Sequence, residues 1–337
     1  WFEQCQQGRW HRANSQTGQN PALRTFLYRL ARLTRCPVQP IFCYDGKQRP
    51  RVKRGRRVST KDHWMVKPTQ QILSAFNTQW ITAAGEAEAQ LASMNRAGII
   101  DAVMTDDSDV FVFGAQTVLR KQCLSSTFST DANIKMYTTS AIQERVDCHL
   151  TGDAFITVAI CCGGDYDRKG LLGCGRETAL GLACCMDNDV LRSAMCGGNS
   201  DRSLQEWRDS AKYHLVHDPT GQMGRLHPAL ARSLPDSFPD PRIIRLYARP
   251  AVMPLTELPI LQSPAPPDLG LLAVIIQQLL GWDPAKLVST FRSTIWPVVV
   301  LHELLQDLAN NSPMSNEVCR NSLLLCELAD GVLSHAD

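Results

Sequence analysis

The chain has 337 residues, 44% of them hydrophobic and 20% charged, with a formal net charge of +2. This length allows about two domains, and the composition supports a sizeable core and excludes global disorder. So small a net charge excludes a chain that is basic throughout, so any nucleic-acid surface has to be local. Thirteen cysteines include no Cys-x-x-Cys pair, while Cys161-Cys162 and Cys184-Cys185 are adjacent. Neither zinc-ribbon spacing nor a secreted disulfide framework is present, and the pattern reads as reduced core thiols that pack helices in an intracellular protein. The longest apolar runs, Leu271 to Ile276 and Val298 to Leu301, are far short of a membrane span. No signal peptide is visible, and an opening Trp1 in place of Met puts the expected start upstream.

In chain order, Asn20-Pro21 reads as a helix start, an N-cap side chain followed by proline at the first helical position. Leu23, Phe26, Leu27, Leu30 and Leu33 follow at helical spacing. "PIFCY" is a buried strand that ends at Asp45, and a polar, basic stretch runs from Lys47 to Asp62. A helix is expected from about Pro68 to Phe76, then a strand "WITAA" (Trp80 to Ala84) that runs into Gly85-Glu86. Ala87, Leu91 and Met94 form the buried stripe of the next helix, which Gly98 ends. "IIDAVMT" (Ile99 to Thr105) is the next strand, again ending in acids. After Asp147 the pattern becomes helix, glycine-rich hairpin, helix. Residues 215–268 hold eleven of the nineteen prolines and predict an irregular segment with short helices. Residues 269–310 return to apolar helical periodicity.

Alternating strands and helices predict an α/β fold with a doubly wound, mostly parallel sheet, in which ligands bind beyond the carboxyl ends of the strands. Asp45, Glu86 with Glu88, and Asp107 with Asp109 stand at or just past three such ends, and Asp165 is an outlying sixth. An acid after a strand is usually a cap or turn residue. Three motifs on consecutive strands weaken that reading. Ionised carboxylates raise one another's pKa unless a cation joins them. Oxygen-only ligands favour Mg²⁺ or Mn²⁺, and two such ions about 4 Å apart serve in-line phosphodiester cleavage. Alternation along an extended segment turns Asp106 away from Asp107 and Asp109, so Asp106 is expected in solvent.

The stretches "PIFCYDGK", "GEAEAQLASMNRAGIIDAVMTDDSDVFVFGAQTVLRK" and "GGDYDRKGLLGCGRETALGLA" resemble the XPG-type structure-specific 5′ nucleases. This chain looks closer to their Holliday-junction resolvase branch than to the flap endonucleases. The resemblance covers roughly residues 1–200. It implies a PIN-like nuclease core at 1–150, a helix–two-turn–helix DNA-binding region at 151–200, and a mainly helical region at 201–337 with its proline-rich segment. It matches Asp45 to the family's D-G-K aspartate, Glu86 and Glu88 to its G-E-A-E-A pair, Asp107 and Asp109 to its D-x-D pair, and Asp165 to the aspartate of its G-C-D-Y. The family has one more aspartate on a first strand, just ahead of the tryptophan position that Trp1 matches. The chain is therefore expected to begin after that ligand.

Basic side chains crowd beside Asp45: Lys47, Arg49, Arg51, Lys53, Arg54, Arg56, Arg57 and Lys61. They read either as a solvated loop or import signal, or as phosphate contacts like the family's arch region. "GLLGCG", Gly170 to Gly175, could be a plain turn. Flanked by Lys169 and Arg176, and matching the family's motif, it becomes a duplex anchor in which Gly173 and Gly175 let backbone N–H groups approach phosphates. The resemblance adds a monovalent cation there, usually K⁺. Trp64, Trp80, Trp207, Trp282 and Trp296 read as core, and His63 as surface. The reading is a nuclear, two-Mg²⁺ endonuclease with no membrane association. Its partner is branched double-stranded DNA, cut at 5′ flaps or, as a dimer on the substrate, at four-way junctions. The alternative is a non-catalytic DNA-binding module on a nuclease fold.

Overall fold

The computed structural model describes residues 2–6, 20–59, 61–121, 134–196 and 200–311. The Trp1 position, at which the resemblance expects the chain to join its family, lies outside the described residues. The chain folds as two compact units. The first comprises residues 1–42, 62–81 and 260–337; the second comprises 43–61 and 82–259.

The first unit is helical. Helix Pro21–Leu33 buries Leu23, Phe26, Leu27 and Leu30 as the spacing predicts, while Leu33 is half-buried. Asn20 departs from expectation. It is left-handed, makes no side-chain cap, and donates its amide to the carbonyl of Leu279 at 2.7 Å. Helix Val66–Ala75 starts two residues before Pro68. The first turn of a helix has no intrahelical partners for its N–H groups, so a proline there costs little. Helices Leu269–Leu280 and Pro284–Thr290 are capped by the side chains of Asp268 and Asp283. A π-helical turn, Phe291–Ile295, leads into Trp296–Asn311. Trp282 is buried, but Trp64 and Trp296 are 46% and 48% exposed and are not core. Trp64 instead lies against the ring of His63, an exposed residue as expected, at 5.8 Å.

Strands Phe42–Tyr44 and Trp80–Thr82 pair, and each runs from the first unit into the second. The Phe42 N–H donates to Gln79 and the Ala83 N–H donates to Tyr44, so the bonds advance together as in a parallel pair. Within the second unit, Val103–Met104 pairs in parallel with Thr117–Lys121, which pairs antiparallel with Ile134–Thr138. The strand expected from Ile99 starts only at Val103, because buried Asn95 takes over the backbone there. Its amide donates to the carbonyls of Ile100 and Asp101, and its oxygen accepts from the N–H groups of Gln116 and Thr117.

The fold class is α/β with a mainly helical C-terminal part. Helices Gly152–Cys162, Arg176–Cys185, Asp189–Cys196, Ser200–His217 and Pro241–Ala248 enclose a core that includes Ile156, Leu182, Leu191, Trp207, Leu215 and Tyr247. Cys161 and Cys184 are buried and Cys162 and Cys185 half-buried, all as free thiols. The proline-rich segment holds the short helices Pro228–Ser233 and Pro241–Ala248 and a 3₁₀ turn, Leu255–Glu257. Among the described residues no helix is long and apolar enough to cross a membrane.

Candidate metal centre and phosphate anchor

All six acids lie in the second unit. Asp45 follows its strand directly, and its Oδ1 accepts from the N–H of Ala87 at 2.9 Å. It thereby caps helix Ala87–Arg96 from outside. Glu86 occupies the N-cap position with extended backbone, but its side chain makes no cap bond. Because Asp45 satisfies that helix end, the Glu86 carboxylate is released for other partners. Gly46 permits the approach: a Cβ there would stand 1.9 Å from the carbonyl oxygen of Ala83. Asp107 and Asp109 do not sit on one extended segment, as alternation implied. Asp109 starts a short helix, Asp109–Val112, and its N–H donates to Asp107 Oδ1 at 3.0 Å. Asp106 is exposed, as expected.

The basic run is a hairpin, Val52–Lys53 paired with Arg56–Arg57. Its turn residues Arg54 and Gly55 have φ of 53° and 72°, the geometry of a type I′ turn. The tip docks on Asp165, whose backbone carbonyl accepts from the Arg54 N–H and whose Oδ1 accepts from the Arg54 guanidinium. Lys53 then stands between two carboxylates, 2.7 Å from Glu86 Oε1 and 2.9 Å from Asp165 Oδ2. The Tyr166 hydroxyl donates to the other Glu86 oxygen.

The electrostatics join these acids into one field. Burial, then the charges of Asp107, Asp165 and Glu86, push the Asp109 carboxyl up to about 7, against the pull of Lys53. Burial, Asp45 and Asp107 raise Glu88, with Lys53 opposing. Burial also works against Asp165, but hydrogen bonds and charge from Lys53 and Arg54 prevail and hold it below the usual carboxylate range. The same bonds, with those from Glu86, raise Lys53 despite its own burial. Asp109 Oδ2 is buried with no hydrogen-bond partner. Among the described residues no three of these acids bring ligand oxygens within 4.8 Å of one another. Their charges nonetheless couple and the buried Asp109 Oδ2 has no partner, the kind of all-oxygen field that suits a hard divalent cation.

The remaining basic candidates lie apart from this cluster in character. Lys47, Arg56 and Arg57 are exposed, as are Lys169, Gly173, Gly175 and Arg176 around the turn between helices Gly152–Cys162 and Arg176–Cys185. Gly175 is the N-cap of the second helix, where an added Cβ would meet nothing within 4 Å; Gly173 has φ of 86°. Gly170, in contrast, is packed so that a Cβ would fall 2.4 Å from the backbone nitrogen of Gly163. Sequence reasoning missed Tyr166 and Tyr247, whose rings lie 4.6 Å apart behind the acids. Tyr166 was visible in "GGDY"; Tyr247, in the proline-rich segment, carried no motif.

Residues 77–165 match the XPG I-region family model. Over 181 residues the chain is 33% identical to the human protein named Flap endonuclease GEN homolog 1, an alignment covering 48% of this chain and 19% of that one. The chain thus spans about a fifth of that relative. Among solved structures, the Holliday junction-resolving enzyme GEN1 in complex with product DNA and Mg²⁺ is similar with a TM-score of 0.69 and 25% identity, covering 90% of this chain and 71% of that one. A structure of the eukaryotic junction-resolving enzyme GEN-1 binding with potassium has a TM-score of 0.67 and 24% identity, covering 90% and 71%.

Proposed function

For a chain that carries an XPG I-region and the fold of the junction-resolving nucleases, we propose a nuclear, Mg²⁺-dependent endonuclease that hydrolyses phosphodiesters in branched DNA. What supports this reading is the charge coupling among Asp45, Glu86, Glu88, Asp107, Asp109 and Asp165, with an Asp109 Oδ2 that has no partner. Those six residues would hold two divalent ions, which supply a water of lowered pKa and neutralise the charge on the leaving oxygen. The chain's own part is to orient the strand. Lys53 and Arg54 on the hairpin, and Arg49 at 3.3 Å from Asp45, touch these acids and would meet a phosphate entering the site. Arg56, Arg57, Lys47, Lys169 and Arg176 would contact the phosphates further along, without reading sequence. Backbone N–H groups at Gly173 to Gly175, opening helix Arg176–Cys185, would anchor the duplex, with K⁺ bound there as a counterion. On four-way junctions the protein would act as a dimer on the substrate.

The test is cleavage of 5′-flap and four-way DNA by the chain and by Asp107→Asn and Glu88→Gln. Each variant should lose Mg²⁺-dependent cleavage and bind DNA as tightly or more tightly, because a negative charge facing phosphate is gone. Near-normal turnover in either variant overturns the two-ion assignment. A second reading rests on Lys53, which already joins Glu86 to Asp165 with a protein cation. A fixed Lys53 would make the chain a non-catalytic DNA-binding module, and DNA binding without any Mg²⁺-dependent cleavage would favour it.

A further inference from the structure

A second set of metal-ligating side chains lies in the turn ahead of helix Gly152–Cys162. Asp147 Oδ1, Cys148 Sγ and a His149 ring nitrogen lie within 4.8 Å of one another. The Asp147 Oδ1 to His149 Nδ1 distance is 2.9 Å, and Cys148 Sγ is 3.5 Å from the same nitrogen. The turn is held in this shape by the His149 N–H, which donates to Asp147 Oδ1 at 2.8 Å. Gln222 donates to Asp147 Oδ2 at 3.0 Å, orienting the carboxylate. None of these residues is among the six acids.

We propose that Asp147, Cys148 and His149 form a Zn²⁺ site, separate from the Mg²⁺ centre, with solvent completing the four-coordinate shell. Thiolate, imidazole and carboxylate are the ligands zinc takes at about 2.0–2.3 Å, so neighbouring ligand atoms in a tetrahedral site stand about 3.3–3.8 Å apart. The observed 2.9 and 3.5 Å need adjustments of a few tenths of an ångström. On binding, the Cys148 thiol releases its proton to solvent as its sulfur takes the metal, and His149 keeps its proton on Nε2. A thiolate and an imidazole ligand make the site unattractive to Mg²⁺. Cys148 and His149 are exposed, so the ion has a way in. Its effect would be to brace the turn that leads into helix Gly152–Cys162.

The experiment is a Co²⁺ titration of the reduced chain with Mg²⁺ in excess. One equivalent should produce a sulfur-to-cobalt charge-transfer band with tetrahedral visible bands, both abolished by Zn²⁺. Cys148→Ser and His149→Ala, at exposed positions, should each weaken Co²⁺ at least tenfold, and Gln222→Ala, in the outer layer, about tenfold. Asp107→Asn should leave the spectrum unchanged. Co²⁺ bound without the charge-transfer band, or a band unaltered in both Cys148→Ser and His149→Ala, overturns the proposal.

Discussion

Lys53 and Glu86, thirty-three positions apart, meet at 2.7 Å with the glutamate side chain 7% exposed. A carboxylate so deeply buried needs a charged partner, and the hairpin supplies one on a short tether. The same ammonium reaches Asp165. Lys53 thus occupies the position of a counter-cation for two of the six acids.

Replacing it should have two opposite effects. Lys53→Met leaves Glu86 and Asp165 partly uncompensated, so the metal-free chain should lose about 1–3 kcal/mol of stability in urea unfolding, the residual exposure of the pair keeping the loss modest. Mg²⁺ or Mn²⁺ should bind more tightly by calorimetry, because the ion no longer competes with an ammonium. Unchanged metal affinity would show that Lys53 vacates the acids without cost.

The pH dependence follows from Asp109, raised from 3.8 to about 7. A carboxyl with a raised folded-state pKa contributes stability fully present below its unfolded value and lost as pH rises through the folded one. With EDTA present, the thermal midpoint should therefore fall from about pH 4 and level off above about pH 7, and Glu88 adds in the same direction. Asp165, held low, works in the opposite sense but only in acid, below about pH 4. Asp109→Asn should flatten the decline between about pH 4 and pH 7, and saturating Mg²⁺ should flatten it in the unaltered chain. A midpoint flat across that range without metal would contradict the assignment.

Phosphate contacts release counterions, so DNA affinity should fall steeply with salt and vary little with sequence. Arg56 and Arg57 are exposed on the far strand of the hairpin. Arg56→Ala with Arg57→Ala should flatten the log-affinity against log-salt slope by about two units, one for each guanidinium removed from a phosphate. An unchanged slope would return these two side chains to plain solvent exposure.

The glycine turn separates fold from binding. Gly170→Val forces a side chain onto the backbone of Gly163 at φ of 55°, and should cost about 3 kcal/mol or more of stability. Gly175 has φ of −82° and open space around it. Gly175→Val should therefore melt within a degree or two of the parent while weakening duplex binding more than single-strand binding. Equal losses on both substrates would remove the turn from the DNA surface.

Much of this was legible along the chain. The acids at strand ends, the helical stripe from Leu23 to Leu30 and the glycine-rich turn between two helices are local patterns, set by backbone periodicity and by where a strand stops. Other features depended on partners remote in sequence. Trp64 and Trp296 carry the same side chain as buried Trp207, and nothing adjacent to them says which finds a cavity. Asn95 shortened a strand by bonding backbone up to twenty-two positions away. Among the many cations near Asp45, only the left-handed turn at Arg54 and Gly55, docked on Asp165 111 positions later, selects Lys53. The type and spacing of the acids were written in the sequence, because they follow from single strands and turns. Which of them share a proton, a lysine or an ion was decided by the tertiary structure, because burial and charge act through space.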